Sequence, residues 1–418
     1  MRNRFLAGGL AAGISFLTLS SVQAVEIEYW QYVFDSRVKA MDQLIANFQA
    51  ANPDITVRHQ TFPYADYQTR VVAANVAGQG PDVVQLFYGW VDNFVAGGLI
   101  QPLDPAVFPH AEIESDFFPI VSAMKRGDDY YGLPTAVRSL ALFYNKKIFE
   151  ENGLDPNDPP DTLEELVAAG KATVKRDGAG NMTSAGLAFG LSAQDHHWWR
   201  EVLIRQFGGQ PYSDDGRTVT YNDEAGIEAT AFLMGLESEE KIGEIGFMDE
   251  PQAAFRGGLA AMTIDGTFRL GAFRAIEGFE WGVTELPANA EGVRSNYASY
   301  FANAIGARAQ GEELEAAQKF LQYISSEEAM AVWLEVVGEL PARRAAALTE
   351  TNLADPIYGP FLRALDYSRT TIFVDEIAQR QVALDLEARI KLQNQPVAEA
   401  VAEAAQQEQA ILDEFYSR

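Results

Sequence analysis

Four histidines (His59, His110, His196 and His197) and no cysteine narrow the chemistry open to this chain. Without thiols there is no disulfide, no lipid-modified cysteine, no Cys-ligated zinc or iron–sulfur cluster, and no thiol nucleophile. His196 and His197 are adjacent, and helical neighbours diverge by about 100°, so a helix cannot aim both at one metal. The motifs H-E-x-x-H, G-x-S-x-G, G-x-x-x-x-G-K-[ST] and G-x-G-x-x-G do not occur. Carboxylates abound, Asp128-Asp129 among them, but no context marks two of them as a glycosidase acid–base pair. Aromatic residues set beside polar ones are the stronger pattern. Trp30, Tyr32 and Phe34 alternate, Phe87, Tyr88 and Trp90 form a second group, and His196, His197, Trp198 and Trp199 a third. Phe268 follows Asp265-Gly266, and Tyr297, Tyr300 and Phe301 precede Ile305. Ring faces stack on the C–H faces of a pyranose, while Asp, His, Arg and Asn side chains bond its hydroxyls. Noncovalent carbohydrate binding is the chemistry this mix serves. Core packing competes for any single ring, and for Phe34, Phe87, Trp199 and Phe301 above all.

The elements that must position these rings follow from periodicity. Val25 to Trp30 alternates and reads as a half-buried strand, and Val38, Met41, Leu44, Ile45 and Phe48 repeat at helical spacing up to Asn52-Pro53. Ile55 to His59 is a second strand, Tyr67 to Ala77 a second helix, and Asp82 to Leu86 a short apolar strand of the buried parallel kind. This order predicts an α/β unit, in which ligands sit at the carboxyl ends of strands. Gln31 to Asp35 and Phe87 to Trp90 lie just past two such ends. Tyr130 to Tyr144 reads as extended, Asp161 to Glu164 as a capped helix start with an acidic first turn, and Trp198 to Phe207 as a helix. Leu187 to Leu191, Ala260 to Asp265 and Trp281 to Leu286 read as strands. Helix dominates from Leu314 onward and ends in Val397 to Tyr416, an amphipathic helix with too few heptads for a coiled coil.

Composition sets the class. The chain has 418 residues, 47% hydrophobic and 22% charged, with a formal net charge of −27. That is enough for two compact α/β lobes and too apolar for a disordered acidic chain. The acidic balance disfavours nucleic acid and anionic membranes, which need clustered Lys and Arg. Arg2 and Arg4, the apolar stretch Phe5 to Leu19, and Val22-Gln23-Ala24 form a secretory signal with cleavage expected after Ala24. Its apolar part is short for a spanning helix, which needs about 20 residues. Cleavage removes two positive charges from −27 and leaves −29. The mature protein is expected in a Gram-negative periplasm.

In this order the motifs resemble those of the extracellular solute-binding proteins that serve ABC importers, in the sugar-binding branch that includes maltose-binding protein. Gly80-Pro81-Asp82-Val83-Val84 is similar to that family's Pro-Asp strand, and Tyr131-Gly132-Leu133-Pro134 through Leu140 to Lys146 to its hinge segment. Ala261 to Gly266, Trp281-Gly282-Val283 through Leu286-Pro287, Ala316 to Leu321 and Gly338 to Arg343 match later motifs. The resemblance covers nearly the whole mature chain. It implies a two-lobed periplasmic-binding-protein fold (type II-like), α/β, with mostly parallel sheets flanked by helices and a multi-crossing hinge. Lobe one would comprise 25–136 and 292–346, and lobe two 137–291 and 347–418. Crossings would fall near Thr135 to Leu140, Pro287 to Arg294 and Ala346 to Pro356.

Carried over by position, the ligand-binding residues implied are Tyr32 and Asp35, Tyr88 and Trp90, Arg138, then Asp195, His196, His197 and Trp198, followed by Asp265, Phe268 and Tyr300. Arg138 stands where maltose-binding protein has an acidic, sugar-bonding residue. Its planar fork suits a carboxylate, sulfonate, phosphate or vicinal diol. An internal pair with Asp35 or Asp265 is the alternative. The C-terminal region lacks the pocket tryptophan of maltose-binding protein, which implies a ligand shorter than a long oligosaccharide. The expectation is a monomeric receptor, without cofactor or metal, that binds a sugar or small glycoside and delivers it to ABC permease subunits. An anionic sugar derivative is the alternative ligand, and a secreted carbohydrate-active enzyme the alternative class. A metal or oligopeptide receptor fits less well with scarce histidine and clustered rings.

Overall fold

The computed structural model describes residues 24–192 and 196–417. The expected signal segment, apart from Ala24, and the site candidate Asp195 therefore lie outside the described residues.

Val25–Tyr32 (β1), Ile55–Phe62 (β2) and Val83–Phe87 (β3) form a parallel set, with β1 in the middle. Between them run Asp35–Ala51 (α1) and Tyr64–Val76 (α2). On α1 the buried positions are Arg37, Ala40, Met41, Leu44, Ile45 and Phe48, the stripe of a helix covering one side of a sheet. Every residue of β3 is buried, as expected of a strand covered on both faces.

Leu133–Asn145 (β4) is 13 residues long, and Arg138 is the one residue along it that is not fully buried. Up to Ser139 its partners are Asn296–Ile305 (β8) and Leu340–Pro341; from Leu140 they are Ala260–Gly266 (β6) and Trp281–Thr284 (β7). Arg138 therefore sits where β4 leaves one half of the sheet for the other. Met182–Ala188 (β5) extends the second half, parallel to β6. Among the described residues the strand order is β2-β1-β3-β8-β4-β6-β5, with the two-residue strand Lys175–Arg176 outside β5. The sheet is mixed: β1 pairs in parallel with β2 and β3, β5 with β6, and the start of β8 with Ser368–Arg369. The strands that pass between the halves, β4 and β8, run antiparallel to each other because each carries the chain in the opposite direction.

Two apolar cores result. One gathers β1, β3 and α1 with Gly311–Ile324 (α4) and Glu327–Val337 (α5), the other Leu163–Thr173 (α3) with Glu376–Gln393 (α6) and Val397–Tyr416 (α7). Thr162 and Glu165 form a reciprocal capping box on α3, so the expected helix start is present there. Helix α7 has the bounds read from its pattern and buries one face, with Ala400, Val401, Ala404, Ala405 and Leu412 inside. The strand expected at Leu187 to Leu191 begins earlier, at Met182, and Trp198–Leu203 is wound as a π-helix rather than an α-helix. Such turns are rare and concentrate at functional sites.

Candidate functional site

The ends of β1, β3 and β6 and the crossing points of β4 and β8 converge on one region between the two halves. Its centre is Phe301. The pairing of β8 with β4 shifts register between Tyr300 and Ala302, and the bulge leaves Phe301 half-buried. Tyr32 lies 4.8 Å from its ring, Phe87 5.5 Å and Trp90 6.4 Å, while Tyr64 lies 5.1 Å from Tyr32 and 6.0 Å from Trp90. Two guanidiniums cover the same ring, Arg37 at 5.1 Å and Arg138 at 5.3 Å. Arg138 also lies 5.6 Å from the ring of Phe268 on the far side. One arginine thus spans aromatic groups from both halves.

Glu339 is the carboxylate that serves both arginines. Arg37 Nη2 bonds it directly, Arg138 Nε lies 3.9 Å away, and Trp333 Nε1 donates to it at 3.0 Å. Burial pushes its carboxyl up, but Arg37 and Arg138 together outweigh burial and hold it below the usual range. The partners considered for Arg138 from sequence, Asp35 and Asp265, are not the ones found. Asp35 opens α1 as an exposed residue, and Asp265 accepts from Arg269 Nε at 3.2 Å and from the Gly266 N–H at 2.8 Å. Burial outweighs those two and raises Asp265 to about 7.

A second group adjoins the first through Phe87, whose ring is 4.6 Å from Tyr88. Tyr88 stacks on Tyr300 at 5.1 Å, and its hydroxyl meets that of Tyr297 at 3.3 Å. His197 lies flat on Tyr297, 3.8 Å between centroids and 17° between planes, with His196 beside it at 3.9 Å. Burial, then His196, Arg200 and Arg380, hold His197 well below the ordinary histidine value, so it is a neutral ring. Both its ring nitrogens are buried without a hydrogen-bond partner among the described residues. Tyr300 is buried, its hydroxyl donating to the Ile120 carbonyl at 3.0 Å. Trp198 is also buried, and it lines a small cavity with Asp265, Leu140 and Phe189.

Residues 43–359 match the profile of the bacterial extracellular solute-binding proteins. The chain belongs to that family. Among curated relatives, the sn-glycerol-3-phosphate-binding periplasmic protein UgpB of Escherichia coli K12 is 26% identical over 361 residues, 82% of this chain and 80% of the relative. Among solved structures, the cyclic alpha-maltosyl-1,6-maltose binding protein of Arthrobacter globiformis has a TM-score of 0.80 at 20% identity, covering 93% of this chain and 99% of that one. The sugar-binding protein MalE of Xanthomonas citri has a TM-score of 0.79 at 21% identity, covering 93% and 98%. These likenesses establish the two-lobed periplasmic-binding-protein fold.

In this solute-binding fold Tyr32, Trp90, Arg138 and Phe268 are brought together, as are Tyr88, His196, His197 and Tyr300. Asp35 is an exposed residue at the start of α1, and Trp198 and Asp265 share their own cavity. The residues missed are Arg37, Glu339 and Tyr64, with Phe301, the ring for which core packing was the competing reading. Arg37 had a signal: a charge on the buried stripe of α1 must have a buried partner. Glu339 lay inside a quoted motif as an anonymous position. Among the described residues no helix is long and apolar enough to cross a membrane, and no group of His, Asp and Glu is placed to hold a metal.

Proposed function

We propose that this protein is a periplasmic receptor of an ABC importer. It closes two lobes, 25–136 with 292–346 and 137–291 with 347–418, on a small carbohydrate and hands it unaltered to membrane permease subunits. The observation that carries this reading is the ring of aromatic side chains around Phe301, crossed by Arg138. Tyr32, Trp90 and Tyr64 present faces from one lobe and Phe268 from the other, so a bound pyranose would be gripped from both sides. Closure then follows from population shift, because only the closed form gives the ligand both sets of contacts. Export after cleavage at Ala24, a monomeric state and the absence of catalysis belong to the same reading. The relatives named for sn-glycerol 3-phosphate and for cyclic alpha-maltosyl-1,6-maltose support the chemical class.

A second reading, an anionic sugar derivative, is favoured by charge. In a chain of −27, Arg37 and Arg138 converge on the cleft with one carboxylate, Glu339, between them. Arg380 is close enough to act on both Tyr64 and Glu376, whose carboxyl burial raises. An anion would complete this set.

A thermal-shift panel of neutral sugars, uronic acids, sulfonated sugars and sugar phosphates tests both readings. A ligand-dependent rise in Tm with the compound recovered intact supports the receptor, and the stabilising group identifies the charge class. Product release from an oligosaccharide would replace the receptor by an enzyme. A silent panel would remove the carbohydrate reading.

A further inference from the structure

Behind the cleft, inside the second core, lies a polar cluster whose carboxylate touches no part of the Phe301 group. Glu408, on α7, is fully buried. It accepts from the hydroxyls of Tyr212 at 2.5 Å and Tyr221 at 2.8 Å and from Gln379 Nε2 at 3.1 Å, and it pairs with Arg200 at 2.9 Å. Burial disfavours the Arg200 charge, but Glu408 and the tyrosines more than offset this and the guanidinium stays protonated.

Gln379 turns the cluster toward the cleft. Its side-chain oxygen accepts from the backbone N–H groups of Val374 at 3.0 Å and Asp375 at 3.2 Å, and its nitrogen donates to the Ile372 carbonyl at 2.9 Å. Residues 370–375 belong to no helix or strand, so their backbone groups need side-chain partners, and one amide supplies three. The same stretch walls in the second aromatic group, its Phe373 ring 5.6 Å from Phe87. Thr371 N–H donates to the Tyr88 hydroxyl at 3.2 Å, and the Phe373 ring lies 6.0 Å from Tyr88 and 5.6 Å from His197. A Cβ on Gly89 would come within 2.7 Å of Phe373, so the ring sits directly against the Gly89 backbone.

We propose that Gln379, anchored by Glu408 and Tyr212, is the positioning residue that holds the 371–375 wall in its binding-competent place. The effect on affinity rests on the receptor reading, whereas the positional claim needs no ligand. An irregular segment released from its anchor regains backbone freedom, and apparent affinity falls with the fraction still competent to bind.

The test uses the mature chain, with Gln379→Met as the near-isosteric variant and Tyr212→Phe as a milder one that removes only an anchoring hydroxyl. Hydrogen exchange by mass spectrometry should show the peptide covering 370–376 opening about tenfold faster in Gln379→Met, and by less in Tyr212→Phe. Peptides from α1 and α7 should exchange as in wild type. Unchanged exchange at 370–376 in both variants overturns the proposal, and so does a uniform rise across the chain, which marks a merely structural role. Calorimetry with maltose and with sn-glycerol 3-phosphate adds the second arm. A probe that binds wild type should bind Gln379→Met about tenfold more weakly. If neither probe binds wild type, the receptor reading loses those ligands, and the exchange result still decides the positional claim.

Discussion

Arg138 holds its guanidinium 5.3 Å from the ring of Phe301, and the two residues come from antiparallel strands that exchange partners at this point. The bulge at Phe301 and the change of sheet at Arg138 are separate features of the chain that meet in space. Their meeting sets a charge beside a ring face. Replacing Arg138 by Gln removes the charge and the fork while keeping most of the stem. An anionic sugar should lose about 1.5–3 kcal/mol of binding, the range for a hydrogen bond to a charged group, and its neutral parent much less. Calorimetry on a phosphorylated sugar and its unphosphorylated parent separates the two. Equal losses would make Arg138 a hydroxyl-binding residue and remove the anionic reading.

Glu339 is the counter-ion for two arginines, and Arg37 is even more buried than Glu339. In Glu339→Gln a buried guanidinium loses its carboxylate, a defect that typically costs about 3–5 kcal/mol. Thermal unfolding should show a loss of several degrees. The pH dependence follows from the lowered folded value of Glu339. Its contribution is complete above the unfolded carboxyl value of about 4.3 and is lost as pH falls through the folded value. Wild type and variant should therefore converge in stability under acid conditions. A gap independent of pH would mean that the pair contributes packing rather than charge.

Trp90 and Trp198 separate along a line that sequence alone did not draw. Trp90 is half-buried among Tyr64, Phe94 and Phe301, whereas Trp198 is buried near Phe189. Trp90→Ala should weaken ligand binding by about 1–3 kcal/mol with a modest change in Tm. Trp198→Ala should cost about 3–5 kcal/mol of stability through the cavity it leaves. Calorimetry and thermal unfolding on both variants check this. A Trp198→Ala protein as stable as wild type would place that ring in the cleft.

These differences show what the sequence could carry. Strand and helix periods located β1, α1, β3 and the last helix because each buries one face or both, and that pattern repeats locally. The aromatic groups were legible for the same reason: they lie just past strand ends. The partner of Arg138 was not, because Glu339 is brought to it by Leu340–Pro341 adding to β4 far along the chain. Burial was no more visible. Tyr300 and Phe301 are neighbours of the same chemical kind, yet a one-residue bulge sends the first into the core and leaves the second facing the cleft. Gln379 looks like any polar helical residue until the loop that precedes it is seen to wrap its amide.

Asp265 and His197 should tilt the stability of the protein with pH in opposite directions. Burial raises Asp265 to about 7, above its unfolded value of about 3.9. Its favourable contribution is therefore present below about pH 4 and is lost as pH rises through 7, where the folded state must ionise a buried acid. His197 is held below its unfolded value of about 6.5, so its contribution is present above that pH and is lost as pH falls below it, where the unfolded chain gains a proton the folded one refuses. Asp265→Asn removes the first slope, and Arg269, partly exposed, stays solvated without its partner. The Tm difference, variant minus wild type, should be more positive at pH 8 than at pH 5. His197→Gln removes the second slope, and its Tm difference should be more positive at pH 5 than at pH 8. Thermal unfolding across that range decides both. Parallel Tm curves for either variant would show that its side chain has the same proton affinity folded and unfolded, and would remove that group from the account of the cleft's electrostatics.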